Sequence, residues 1–255
     1  MKGNYCWNST DTISFSASQG YLHSEGTCTP LTPAPSYLKS RYNYPPLRFN
    51  SNTDLLSFAV TEAESGSGTS SDPYIFRYIE IDGSGKGYCL FFGNTTLYCN
   101  FISCRFYNAN GGIPSPYVWN SSVGLYNAQN IQFINCTFNN SNYGIYSLQS
   151  INITVSGAHI SNISSTGIYL GNQSTLTISN SSFSNNPYGI HVFSSTGFIY
   201  SSQFRNHSQT AIYGSYYGPP LNLIADRNTI NGTGSWAIYA TGGGGNYITT
   251  NNSLI

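Results

Sequence analysis

The sequence predicts an all-β chain: a solenoid of parallel strands preceded by an irregular segment. Three observations carry the prediction. A short phrase recurs as Gly87-Tyr88-Cys89, Gly124-Leu125-Tyr126, Gly144-Ile145-Tyr146, Gly167-Ile168-Tyr169, Gly189-Ile190-His191, Ala211-Ile212-Tyr213 and Ala237-Ile238-Tyr239. After the first interval its spacing is 20 to 26 residues, which suits one turn of a coil. Each phrase is followed by an alternating apolar run and then by a short element with an apolar residue near its end.

Residues 1–70 do not repeat. Pro30, Pro33, Pro35, Pro45 and Pro46 remove backbone donors there, so this part reads as extended loops and edge-like segments, a cap or an inter-subunit contact. The turn Ser65-Gly66-Ser67-Gly68-Thr69-Ser70-Ser71 ends it. The coil, residues 71–255, opens with a strand over Asp72–Gly83. Later turns have three parts. The Gly-Ile-Tyr strand comes first. An alternating strand follows, as in Ile131-Gln132-Phe133, Ile153-Thr154-Val155, Leu176-Thr177-Ile178, Leu223-Ile224-Ala225 and Ile248-Thr249-Thr250. The third element ends at Phe106, Phe138, Ile160, Phe183, Phe204, Ile230 or Ile255.

Side chains alternate across a strand, so the middle residue of each phrase is expected to point inward and the aromatic outward. Turns about 4.8 Å apart then stack the inward residues into apolar columns. No turn buries its apolar face alone; the stack does so together.

The pattern resembles the right-handed parallel β-helix repeat proteins. It is especially similar to an extracellular, often archaeal, group related to the periplasmic nitrous-oxide-reductase accessory protein. The residues that carry the resemblance are Gly68-Thr69-Ser70-Ser71-Asp72-Pro73-Tyr74, the Gly-Ile-Tyr phrases, and Asn135-Cys136-Thr137-Phe138 with its echoes Asn180-Ser181-Ser182-Phe183 and Ser201-Ser202-Gln203-Phe204. It spans residues 66–255 and implies a fold more than an activity.

Charged residues are 7% of the chain, against about 25% in ordinary soluble domains. Nine basic and nine acidic residues cancel, so nucleic-acid binding has no electrostatic footprint. Walls this poor in carboxylates have few groups to protonate as pH falls, which suits an acidic exterior. They are also simply common in β-solenoids. No apolar run approaches a membrane span, and Met1–Cys6 has no apolar signal core.

Polysaccharide hydrolysis needs paired carboxylates. From Gly87 to Ile255 the only acid is Asp226, beside Arg227. Glu62, Glu64, Glu80 and Asp82 lie near the start of the coil, the one place for a catalytic pair. The resemblance implies copper. However, His23, His159, His191 and His207 form no ligand spacing and the only Met is Met1. No metal, cofactor or catalytic residue is assigned. The aromatic column Tyr126, Tyr146, Tyr169, His191, Tyr213 and Tyr239 is the candidate ligand or partner face. Its rings either stack on one another or present a platform to a sugar chain or protein.

Sequons begin at Asn8, Asn94, Asn120, Asn135, Asn139, Asn152, Asn162, Asn172, Asn180, Asn206, Asn231 and Asn251. Asn139, Asn162, Asn206 and Asn231 fall just after the third element and predict a glycan edge; Asn135 and Asn180 share another position. Chance in an Asn-rich chain is the alternative. Disulfides are candidates at Cys6–Cys28 and at Cys104–Cys136, which occupy one position a turn apart. Otherwise Cys104 and Cys136 belong to a column of small residues with Ala158, Ser181 and Ser202.

The expected function is that of a non-catalytic extracellular structural or adhesive glycoprotein, a surface-layer, filament or virion component. The bare last turn at Ser253-Leu254-Ile255 predicts end-to-end self-association. The alternative is a carbohydrate-binding or carbohydrate-cleaving enzyme, and a metal-delivery protein is a third reading.

Overall fold

The computed structural model describes residues 42–111, 120–217, 220–241 and 245–255. Cys6, Cys28, Asn8, His23 and most of the Pro-rich segment lie outside the described residues. Three parallel sheets run the length of the coil. Sheet I contains Leu47–Phe49, Tyr88–Gly93, Ser121–Tyr126, Tyr143–Leu148, Thr166–Gly171, Tyr188–Phe193, Ile212–Ser215 and Ile238–Ala240. Sheet II runs from Tyr74–Arg77 through Cys99–Ile102, Gln129–Ile134, Ile151–Ser156, Thr175–Ser179, Thr196–Tyr200 and Asn222–Asp226 to Asn246–Thr250. Sheet III runs from Tyr42–Tyr44 and Ile79–Asp82 to Ser253–Leu254. Each strand pairs with its counterpart one turn away, as in Phe138 opposite Ile160 and Ile168 opposite Ile190.

The coil begins earlier than the repeat shows. Tyr42–Tyr44 pairs with Ile79–Asp82, and Leu47–Phe49 with Tyr88–Gly93. Helix α1 (Asn52–Glu62) follows, its N-terminus capped by Ser51 Oγ, which accepts from the Asp54 N–H at 3.3 Å. Leu55 and Ala59 are buried, and the Phe58 ring meets Tyr44, Phe49 and Phe76. The helix therefore packs over the first turn. The strand expected over Asp72–Gly83 is two strands, Tyr74–Arg77 and Ile79–Asp82, broken at Tyr78 with φ 56°.

Inward residues form the columns that alternation predicts. Ile145, Ile168, Ile190 and Ile212 are fully buried in sheet I, and Phe106, Phe138, Ile160, Phe183 and Phe204 in sheet III. Phe106 stacks on Phe138 at 5.5 Å and Phe183 on Phe204 at 4.8 Å. The last register differs by one residue: Leu254, not Ile255, lies opposite Ile230. The strand Thr196–Tyr200 escapes the sequence pattern because Gly197 takes the inward place between Leu176 and Leu223. Val192 fills that space, with Cγ2 2.8 Å from where a Cβ would stand.

Corners between sheets need single residues in the left-handed region, which Asn tolerates better than other non-glycine residues. Asn94, Asn127 and Asn172 serve after sheet I. Asn135, Asn180 and Asn251 serve after sheet II; Asn108, Asn140, Asn162 and Asn185 serve after sheet III, and Asn206 holds the same column inside Gln203–His207. Side-chain amides link neighbouring corners, as in Asn127 Nδ2 donating to Asn94 Oδ1 at 2.9 Å. Behind the second corner runs a buried ladder. The Ala158 N–H donates to Ser181 Oγ at 3.1 Å, Ser181 N–H to Ser202 Oγ at 3.2 Å, and Ser202 N–H to Asn228 Oδ1 at 2.9 Å. These donors would otherwise be unpaired inside the coil.

Candidate functional site: the aromatic outer face of sheet I

Sheet I places a column of aromatic side chains on its outer face. Pairing puts Tyr146, Tyr169, His191, Tyr213 and Tyr239 at one position of successive turns. Tyr126 does not belong to this column. Ser121 pairs with Tyr143 and Val123 with Ile145, so Gly124 occupies the column's place and Tyr126 lies opposite Leu148. Aligning the phrases on their glycines caused the error. Ser122, not Gly124, lies level with Gly144. The slip is two residues, so Tyr126 keeps its outward sense and moves one column sideways. Extending the column backward past Gly124 reaches Phe91, which Arg48 covers at 4.1 Å.

The rings pack against each other along the coil. Tyr146 and Tyr169 lie 4.8 Å apart and 8° from parallel; His191 and Tyr213 lie 4.5 Å apart at 30°; Tyr213 and Tyr239 lie 5.7 Å apart at 16°. Tyr169 meets His191 edge-on at 5.1 Å. The spacing matches the distance between turns, so faces are covered by neighbours and edges turn to solvent. Tyr169 also leans along its own strand over Gly171, where a Cβ would come within 2.9 Å of the ring.

A second outer column was missed by sequence reasoning. Tyr143 pairs with Thr166, and Thr166 with Tyr188. Large and small residues alternate from turn to turn, and each large ring reaches over the next small one. Tyr143 contacts Tyr146 and also Tyr169 in the following turn; Tyr188 contacts Tyr213 in the following turn. Thr166 and Thr210 are accordingly buried. The signal was present in the sequence as the residue before each Gly or Ala, at Tyr143, Thr166, Tyr188, Thr210 and Trp236.

Burial changes the chemistry of this face. It holds the Tyr146 hydroxyl well above the usual phenol range and pushes Tyr169 up to about 12. It lowers His191 from 6.5 to about 4. His191 Nε2 is 2.7 Å from Ser215 Oγ. Burial thus keeps Tyr146, Tyr169 and His191 uncharged at neutral pH.

The carboxylates near the start of the coil have partners of their own. Glu64 pairs with Arg77 at 2.9 Å, Glu80 with Arg105 at 3.0 Å, and Glu62 accepts from the Tyr44 hydroxyl. Asp82 accepts from the N–H and hydroxyl of Ser84 at 3.0 and 2.6 Å, bonds that keep its carboxyl below the usual range. Asp226 is lowered likewise, first by the Thr250 hydroxyl and then by Asn251. Carboxyls held ionised in this way are poor proton donors. Among the described residues no group of three His, Cys, Asp or Glu is placed to hold a metal.

Cys104 and Cys136 do occupy one column a turn apart, since the Thr137 N–H donates to the Cys104 carbonyl while Cys136 precedes Thr137. The candidate disulfide is not formed. Both are free buried thiols, along with Cys89 and Cys99. Cys136 Sγ lies 3.2 Å from the Phe101 carbonyl, and Cys104 Sγ 3.5 Å from that of Ile102. The pair sits in the small-residue column that continues through Ala158, Ser181 and Ser202. Burial raises the thiol of Cys136.

Sequon positions follow the corner geometry. Asn94, Asn120, Asn135, Asn152, Asn162, Asn172, Asn180, Asn206 and Asn251 all have positive φ, so backbone shape alone accounts for asparagine there. Asn135 and Asn180 share a corner, as expected. The four expected on one edge divide between two adjacent columns: Asn139 and Asn231 in one, Asn162 and Asn206 in the next.

Residues 67–254 match the family described as "Right handed beta helix region". The chain belongs to that right-handed β-helix family. Among solved structures, this β-helix is similar to the periplasmic alginate epimerase AlgG, with TM-score 0.54 and 14% identity over 71% of this chain and 46% of that one. A point mutant of the same epimerase matches with TM-score 0.53 and 12% identity over 72% of this chain and 45% of that one. At these identities the likeness is one of fold, and the chain spans less than half the length of the structures it matches. No curated protein matches the chain.

Proposed function

We propose that this β-helix is a non-catalytic structural or adhesive protein of the cell exterior or a virion surface. One observation supports the reading above the rest: the aromatic faces on sheet I are spent on one another, leaving a stiff wall of ring edges and hydroxyls. Among the described residues, Glu62, Glu64, Glu80, Asp82 and Asp226 are tied to arginines or hydroxyls, which disfavours an acid–base pair beside the wall. Among the described residues no helix is long and apolar enough to cross a membrane. An exported glycoprotein is consistent with the exposed Asn corners and with the periplasmic setting named for the structural neighbours.

Self-association is part of the structural reading. Negative-stain microscopy and ultracentrifugation of the full chain test it: ordered assemblies support it, and a monomer at all concentrations removes it.

The second reading is a carbohydrate-binding or carbohydrate-modifying β-helix. The likeness to alginate epimerase and the hydroxyl-rich edge of the Tyr column favour it. Incubation with alginate, followed by NMR of the polymer and by binding isotherms, separates the two. Changed uronate composition, lost on His191→Phe, would replace the structural reading.

A further inference from the structure

The half-buried His191 and the buried His207 fall in the same turn of the coil. His191 lies on the outer face of sheet I and His207 at the end of a sheet III strand, Gln203–His207. His191 holds the following turn: its ring stacks on Tyr213, and Nε2 meets Ser215 Oγ. His207 is 2% exposed, the only histidine among the buried described residues. Its Nδ1 donates to the Asn186 carbonyl of the preceding turn at 2.9 Å, and Nε2 is buried without a hydrogen-bond partner. The next turn rests on it: Thr233 pairs with His207, and the Gly234 N–H donates to its carbonyl at 2.8 Å.

We propose that this turn is an acid-sensitive seam, at which protonation of the two imidazoles releases the C-terminal turns from the rest of the coil. A proton added to His207 Nε2 places a cation beside Phe204 inside the coil, where water cannot reach it. A proton on His191 places a cation among tightly packed rings. The groups facing His191 are Tyr169, Tyr188, Phe193, Tyr213 and Ser215; those facing His207 are the Phe204 ring and the backbone of Asn186 and Phe183. No carboxylate is among them. Arg205, two residues before His207, is exposed and donates to Gln203 Oε1.

The sign follows from linkage. Burial lowers both imidazoles, His191 from 6.5 to about 4. Above pH 6.5 neither state is protonated and the histidines contribute nothing to pH dependence. As pH falls from there, toward about 4 for His191, the released chain takes up protons that the intact seam refuses. Opening therefore rises roughly tenfold per pH unit per histidine.

Hydrogen exchange of the full chain at pH 7.0, 5.5 and 4.5, corrected for intrinsic rates, tests the seam. Peptides from residues 210–255 should lose protection as pH falls, while those from 120–185 keep it. The loss should shrink in His191→Tyr, which restores the column's own residue, and vanish on adding His207→Asn. Imidazole titration by NMR is independent of how the variants fold: His191 titrating below 5 and His207 below its ordinary range support the seam, and ordinary values near 6.5 overturn it. Uniform protection at pH 4.5, or an unchanged pH response in the double variant, also overturns it.

Discussion

Ser181 and Ser182 are neighbours of identical chemistry, and the fold gives them opposite fates. Ser181 is 2% exposed; its hydroxyl accepts from the Ala158 N–H at 3.1 Å and donates to the Ser179 carbonyl at 2.8 Å. Ser182 is only half-buried on the outer wall, where its hydroxyl meets the exposed His159 ring at 2.6 Å. Ser181→Ala leaves a buried N–H without an acceptor, at a cost of about 1–3 kcal/mol, and removes one further bond. A net loss of about 2 kcal/mol corresponds to a fall in melting temperature of roughly 4–8 °C for a unit of this size. Ser182→Ala is expected to stay within about 0.5 kcal/mol. Urea unfolding of protein made in a host without glycosylation isolates the effect from the Asn180 sequon. The midpoint should drop for the first variant with the slope unchanged. Equal effects of the two substitutions would refute the ladder as a source of stability.

Other outcomes follow from the same packing. Gly189→Ala places a Cβ 2.5 Å from the Ala211 carbonyl oxygen and 2.8 Å from the Phe204 ring. It should cost at least about 1–3 kcal/mol, seen as reduced soluble yield and melting temperature. Phe138→Ala removes a fully buried ring stacked on Phe106, with an expected loss of about 3–5 kcal/mol in denaturant titration. Cys89, Cys99, Cys104 and Cys136 should resist a thiol reagent in the native coil and react together once urea unfolds it. Mass spectrometry that finds Cys104 joined to Cys136 in native protein would contradict the free-thiol arrangement.

Repetition made the coil legible in the sequence. A period near one turn, an inward residue in each phrase and an apolar end to each third element were sufficient for three parallel sheets and their core columns. The corners were read in the sequence only as sequons; the structure shows asparagine there as the non-glycine residue that best accepts positive φ. Register across turns needed the tertiary structure. Parallel pairing depends on which inward side chains fill the same layer, so Gly124 and Tyr126 could be told apart only once Val123 stood opposite Ile145. The same held for Gly197, whose missing side chain Val192 replaces from another strand. It held for the first turn, where Tyr42–Phe49 joins the sheets by pairing with strands far along the chain. Whether the aromatic face offers ring faces or ring edges was likewise decided by stacking between turns, a relation between residues about twenty positions apart that no single phrase contains.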